Sequence, residues 1–236
     1  MDMNEFFKTN LEQALQLQMP NKSFASLNMQ DDFVSIMVRP GLINKHLTAK
    51  QLEVLVMVEK FGAVKSSANH GFIVSIPKIR LEMTIEAFTK VGLYAIPNQP
   101  SATIKCCDFC DGERLEALPI AEKLLQVVEQ FPLEKRVRIG FNACTEACYN
   151  AVYDDLALIY YNGKFDLYAG AIQMGRRANA GKLLVKKIEE EQILTVVQYL
   201  LERFEQSNCK TFSSFIQKEQ HLEQELRELQ KVGMTR

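Results

Sequence analysis

Two short stretches decide how this chain is read: Lys105-Cys106-Cys107-Asp108-Phe109-Cys110-Asp111-Gly112 and Gly140-Phe141-Asn142-Ala143-Cys144-Thr145-Glu146-Ala147-Cys148. They hold five of the six cysteines, with a pair at x2 spacing (Cys107, Cys110), a pair at x3 spacing (Cys144, Cys148) and Cys106 as a spare neighbour. Thiolates on two short loops can converge on one metal centre without straining the backbone. One or two cysteines often serve as small buried apolar residues, but five gathered in two places point to ligation. Disulfides are not expected, because no hydrophobic secretory leader opens the chain and a reducing compartment is the default. Spacing alone leaves structural zinc and an iron–sulfur cluster both open.

Around these stretches lie 236 residues, 47% of them hydrophobic. A chain of this size buries about 70% of its extended surface, enough for one compact unit or two small lobes. The net charge of −1 offers no basic stripe for nucleic acid. No apolar run approaches the roughly 20 residues that cross a bilayer, so no membrane partner is expected and the cytoplasm is the expected compartment.

The spacing predicts a helix over residues 2–18, with Phe6, Phe7, Leu11 and Leu15 on one stripe and Pro20 ending it. Residues 21–32 read as a connector. A strand follows at Phe33–Val38, then a helix from Ala49 to Phe61 capped by Thr48, with Leu52, Leu55, Val56, Val58 and Phe61 inward. Short strands at 63–66 and 72–76 flank the turn Asn69-His70-Gly71, and a helix covers Glu82–Val91. This β-α-β-β-α order is that of a ferredoxin-like half-domain. Residues 94–105, with Pro97 and Pro100, read as a linker.

A helix is expected over Glu113–Phe131, with Leu115, Leu118, Ala121, Leu124, Leu125 and Val128 inward, and a strand over Arg136–Phe141. That strand puts the second cysteine group at its carboxyl end, a usual place for sites in α/β folds. Asn162-Gly163 between apolar runs marks a hairpin of 154–161 with 165–169. Gly170–Gly181 is a polar loop carrying Arg176 and Arg177, a doubled guanidinium suited to carboxylates. After a short segment, 183–188, a helix over Glu190–Glu205 buries Ile193, Val196, Val197, Leu200, Leu201 and Phe204, and the tail from Thr211 reads as one docking helix. Cys209 is expected to be a lone thiol.

The order Val137-Arg138-Ile139-Gly140, Cys144-x3-Cys148, Asp155-Leu156-Ala157-Leu158, Tyr168-Ala169-Gly170-Ala171 resembles the cluster-binding half of the sirohaem-dependent nitrite and sulfite reductases, and the likeness extends over roughly residues 33–217. The fold it implies is α+β: a ferredoxin-like two-layer half-domain at 33–100, then an α/β cluster-binding domain at 101–210, between an N-terminal segment, 1–32, and a tail, 211–236. It implies a [4Fe-4S] cluster on Cys110, Cys144, Cys148 and Cys107, with Cys106 as the alternate, and a sirohaem bridged through Cys148. Lys65, Asn69, Arg39, Arg176 and Arg177 are the candidates for holding the tetrapyrrole, with Lys65 and His70 as the catalytic candidates.

Two departures stand out. Where the family's hairpin carries arginine this chain has Ala68, and the family's five residues between its first two ligands shrink here to two or three. The resemblance implies a reductase of a small oxyanion such as sulfite or nitrite, fed by a redox donor. Because full-length members contain the unit twice, it also implies a homodimer. Two alternatives stand beside it: a sirohaem-free [4Fe-4S] protein serving electron transfer or tetrapyrrole or cobalamin-type biosynthesis, and a zinc-stabilised binding module without enzymatic activity.

Overall fold

The chain divides into two units, one of residues 1–38 with 48–97 and one of 39–47 with 98–236. A computed structural model describes residues 32–41, 47–67, 71–96, 101–149 and 151–233. The expected helix at 2–18, its connector up to residue 31, and Ala68, Asn69 and His70 lie outside the described residues.

In the first unit, β1 (Phe33–Arg39), α1 (Ala49–Glu59), β2 (Ala63–Ser67), β3 (Gly71–Pro77), α2 (Leu81–Lys90) and β4 (Tyr94–Ile96) follow in order. The strands form one sheet ordered β2-β3-β1-β4, with β3 antiparallel to both β1 and β2. Thr48 caps α1 with a full capping box: its hydroxyl accepts the Gln51 N–H, and Gln51 Oε1 accepts the Thr48 N–H. The same Gln51 corrects the expected face of α1. Its amide turns inward and donates to the Gly92 carbonyl at 3.2 Å. The buried stripe is therefore Gln51, Val54, Leu55 and Val58, while Leu52 and Val56 are exposed.

The expected linker at 94–105 is corrected too, since it contains β4 and β5 (Ala102–Cys106), the edge strand of a second sheet. A single helical turn, Phe109–Gly112, precedes α3, which runs over Leu118–Gln130 rather than from residue 113. Pro119 explains the late start: it lacks the N–H an interior position needs and suits the first turn of a helix. Leu115 is left exposed.

Next come β6 (Val137–Asn142), β7 (Leu156–Tyr161), β8 (Lys164–Ala169) and β9 (Lys182–Glu189), the last a full strand where only a short segment was expected. They are followed by α4 (Glu190–Gln206), α5 (Phe212–Lys218) and α6 (Leu222–Gly233), so the tail forms two helices, not one. The sheet order is β5-β6-β7-β8-β9, with β5, β6 and β7 parallel and β7, β8 and β9 antiparallel. Asn162 and Gly163 both have positive φ, +47° and +75°, as a two-residue type I′ hairpin requires.

Alternation along the strands separates the two faces of this sheet. Ile104, Cys106, Ile139, Phe141, Leu158, Phe165 and Leu167 join the helices in one core, with α4 contributing the whole expected stripe from Ile193 to Phe204. The other face carries Lys105, Gly140, Asn142, Ala157 and Ile159. It is covered by the crossover from β6 to β7, through Ala147, Ala151 and Val152. The two parallel connections advance in the same direction across the sheet but lie on opposite faces, so one of them departs from the usual right-handed sense.

Candidate metal centre

The crossover at 143–155 is seated on β6 at Gly140. A Cβ there would lie 2.5 Å from Asp154 Oδ2 and 2.7 Å from Ala151, so only glycine lets the segment come down. Asp154 Oδ2 in turn meets Lys105 Nζ at 3.0 Å, with the carboxylate side chain 1% exposed. Burial pushes the Asp154 carboxyl up and Lys105 pulls it back. This pair pins the crossover to β5, the strand that delivers the first cysteines.

Cys106 and Cys107 are sequence neighbours that both pack in the helix-covered core and differ in what their sulfurs meet. Cys106 is fully buried in the helix-covered core, and desolvation pushes its thiol far up. Cys107 lies one step past the end of β5 and turns to the crossover. Its N–H donates to the Phe141 carbonyl at 2.9 Å, and its Sγ accepts the Ala143 N–H at 3.2 Å. Burial raises the Cys107 thiol, the Ala143 N–H opposes that, and the neighbouring Cys144 and Cys148 raise it further. Cys107 therefore lies within electrostatic reach of Cys144 and Cys148. Cys110 and Cys148 are exposed, and Cys144 is half-buried. Cys209 is buried in the helix-covered core, away from the group.

Among the described residues, no three Cys, His, Asp or Glu side chains stand close enough to hold a metal ion as they are placed. In kind and neighbourhood, however, the loops suit a thiolate-bound centre. Phe109, Cys110 and Ala147 all have positive φ, between +46° and +52°, a conformation non-glycine residues seldom adopt. Asn142, fully buried at the end of β6 where the second loop begins, has no hydrogen-bond partner on either amide atom. Strained backbone and an orphaned amide are features that a bound group could satisfy.

The other candidates are scattered. Arg39 is buried; it donates to the Ile104 carbonyl at 2.7 Å and to Glu129 Oε1 at 2.6 Å, so its guanidinium is committed inside the protein. Lys65 is exposed on β2, in the first unit. Arg176 and Arg177 are exposed on the hairpin 170–181, closed by mutual Ile172–Asn179 backbone bonds. That hairpin is rooted where the crossover ends: the Gly170 N–H donates to the Asp155 carbonyl and the Gly181 N–H to the Val152 carbonyl. Arg138 fastens the root by donating to Asp155 and to Gln173. The cysteines sit at the start of the crossover and the arginine hairpin at its finish.

Sequence reasoning missed several groups here. A cleft of about 240 Å³ opens beside Cys144, with Arg114, Thr145 and Tyr161 among its walls. Neither Asn142 nor the Lys105–Asp154 pair was singled out. Only the register of β5 on β6 (Lys105 with Gly140, Cys106 with Phe141) brings them to the thiols.

No family model matches the chain. It is 31% identical over 197 residues to a cobalt-factor III methyltransferase of Priestia megaterium, a match covering 83% of this chain and 36% of that protein. The chain thus spans about a third of the length of this curated relative. Among solved structures it resembles dissimilatory sulfite reductase I (DsrI), with a TM-score of 0.64 and 13% identity over 84% of this chain and 69% of that one. It also resembles the Mycobacterium tuberculosis NirA protein, with a TM-score of 0.59 and 15% identity over 83% and 39%. The two-sheet α+β architecture of this chain is accordingly that of the sulfite and nitrite reductase-like proteins.

Proposed function

We propose that the chain is an iron–sulfur redox protein in which Cys107, Cys110, Cys144 and Cys148 hold a [4Fe-4S] cluster, working beside a tetrapyrrole of the cobalamin type without a resident sirohaem. The observation that carries this reading is the meeting of two thiol loops far apart in sequence, where Cys107 Sγ accepts the Ala143 N–H next to Cys144. Cys106 is left out because it is fully buried and desolvation pushes its thiol far up, whereas the Cys107 sulfur meets the second loop at Ala143. Such a cluster supplies one-electron transfer at a potential tuned by hydrogen bonds to its sulfurs and by burial.

The protein's own residues contribute placement. The Gly140 seat and the Lys105–Asp154 pair fix the crossover, the Ala143 N–H steadies the Cys107 sulfur, and β5 and β6 align the loops. The relative named for acting on cobalt-factor III favours a corrinoid precursor as the molecule served. Ala68 in place of the family's arginine and the internal engagement of Arg39 both speak against a sirohaem held in the usual way.

The second reading is a sirohaem-bearing sulfite or nitrite reductase, completed as a homodimer and fed by a redox donor. The fold likeness and the exposed Arg176 and Arg177, which can pair with carboxylates, favour it.

Anaerobic purification with a visible spectrum and iron, sulfide and zinc analysis tests both. Cluster absorption without a sirohaem band is the expected result, and a sirohaem band would replace the first reading by the second. A colourless chain carrying only zinc would overturn both and leave a zinc-stabilised module. A solution mass near that of one chain would count against the dimer.

A further inference from the structure

Asn142 is the last residue of β6 and is 0% exposed, yet neither its Nδ2 nor its Oδ1 has a partner. A buried amide left unsatisfied costs about 1–3 kcal/mol per group, so in a native protein it calls for an explanation. Its surroundings narrow the choice. On β6, Val137, Ile139 and Phe141 face the helices, which turns Asn142 to the crossover side. Its register partner on β7 is Ile159, and Ala147, Ala151 and Val152 cover that side, while the polar side chains of the same face, Lys105, Asp154 and Tyr168, leave both its amide atoms unpaired. Both chain neighbours of Asn142 touch Cys107: the Phe141 carbonyl accepts the Cys107 N–H, and the Ala143 N–H donates to Cys107 Sγ. The amide therefore lies at the base of the Cys107, Cys144 and Cys148 group.

We propose that the Asn142 amide N–H donates a hydrogen bond to a sulfur of the thiolate-bound cluster and so raises its reduction potential. This rests on the reading of the four cysteines as cluster ligands. The physical reason is charge: the reduced cluster carries one more negative charge, its sulfurs accept more strongly, and a fixed donor stabilises that state more than the oxidised one. Asn142 acts here as a positioning and tuning residue.

The test uses the full chain, purified anaerobically, beside Asn142→Leu, which keeps the volume and removes the donor, and Asn142→Asp, which keeps the shape and, at alkaline pH where the carboxyl is ionised, replaces the donor by a negative charge. Iron and sulfide are counted first, then each protein is titrated spectroelectrochemically. Loaded Asn142→Leu is expected to show about a tenfold lower reduced-to-oxidised ratio at a fixed potential, a downward shift of about 59 mV for one electron. Asn142→Asp is expected to shift at least as far. Without metal, Asn142→Leu should unfold at the same or higher urea than the parent, because an orphaned amide has been removed.

A purely structural role would change loading or urea stability and leave the potential where it was. Loaded variants with an unchanged potential overturn this inference alone. Failure of both variants to hold iron, with the metal-free chains folded normally, would also overturn it and leave Asn142 a loading residue. An iron-free parent overturns the cluster reading with it.

Discussion

The two faces of the five-stranded sheet are closed by different chemistry. The face under α3, α4, α5 and α6 is sealed by apolar packing, including a trio of mutually packed rings, Phe204, Phe212 and Phe215, with centroids 5.2–5.6 Å apart. The face under the crossover is held by a buried ion pair, a glycine contact and thiols, and it leaves the Asn142 amide unpartnered. The first face leaves single atoms at the margin of α4 without a partner, Gln192 Oε1 and Glu205 Oε2. The second leaves both atoms of one fully buried amide unpaired beside the thiol loops, which is how a site differs from a core.

The largest expected effect separates two adjacent thiols with different partners, Cys106 inside the helix-covered core and Cys107 against Ala143. Cys107→Ser should abolish iron binding and colour altogether, whereas Cys106→Ser should keep the iron and lose about 1–3 kcal/mol through a buried hydroxyl without a partner. Iron analysis and urea unfolding on both variants check this. Equal loss of iron from the two would show that Cys106 takes part in ligation as well.

Lys105→Met comes next. It leaves the Asp154 carboxylate buried without its cation, for an expected loss of about 3–5 kcal/mol near neutral pH. The pH dependence has a definite sign. Burial already raises the folded Asp154 value, so its stabilising contribution is present below the unfolded carboxylate value near 3.9 and is lost as pH rises through the folded value. Removing Lys105 lifts the folded value further. The penalty should be small near pH 4 and grow toward pH 7 in urea unfolding. A penalty flat with pH would mean that Asp154 is not the group responsible.

Gly140→Ala is a smaller intrusion on the same face. The new methyl would meet Asp154 Oδ2 and Ala151 well inside contact distance, and overpacking of this kind costs about 1–3 kcal/mol. Because the crossover must lift, the variant should also lose iron affinity. Full loading with unchanged stability would show that the crossover has another anchor.

How much of this was legible in the sequence follows from the distance over which each feature is determined. The Asn162-Gly163 turn and the α4 stripe were plain, because a turn and an amphipathic helix are set by residues within a few positions. The α1 face was misjudged by one position because Gln51 finds its carbonyl partner 41 residues away, at Gly92. β5 follows directly on Pro97 and Pro100, so its short alternation Ala102-Thr103-Ile104-Lys105-Cys106 is masked by a linker-like lead-in, and it becomes a strand through pairing with β6. Arg39 looked like an anion ligand until Glu129, 90 residues on, took its charge. The cysteine spacing announced a site, but which thiol would meet the second loop depended on where β5 stops.

The smallest expected effect sits on the helix-covered face, and it tests whether charges matter there at all. Arg203 on α4 donates to Glu219 at 2.7 Å and to Glu225 at 3.1 Å, and the Tyr199 hydroxyl also donates to Glu225. These groups tie α4 to the C-terminal helices, but the Arg203 side chain is 32% exposed, so water screens the pairs. Phe212, Phe215, Leu222 and Leu226 are buried beneath and should do most of the docking. Arg203→Met should therefore cost no more than about 1 kcal/mol, shrinking further at 1 M salt, where charges are screened within about 3 Å. Urea unfolding at low and high salt checks this. A loss above about 2 kcal/mol that persists in salt would mean the network carries the docking, and the contrast between an apolar face and a polar one would have to be redrawn.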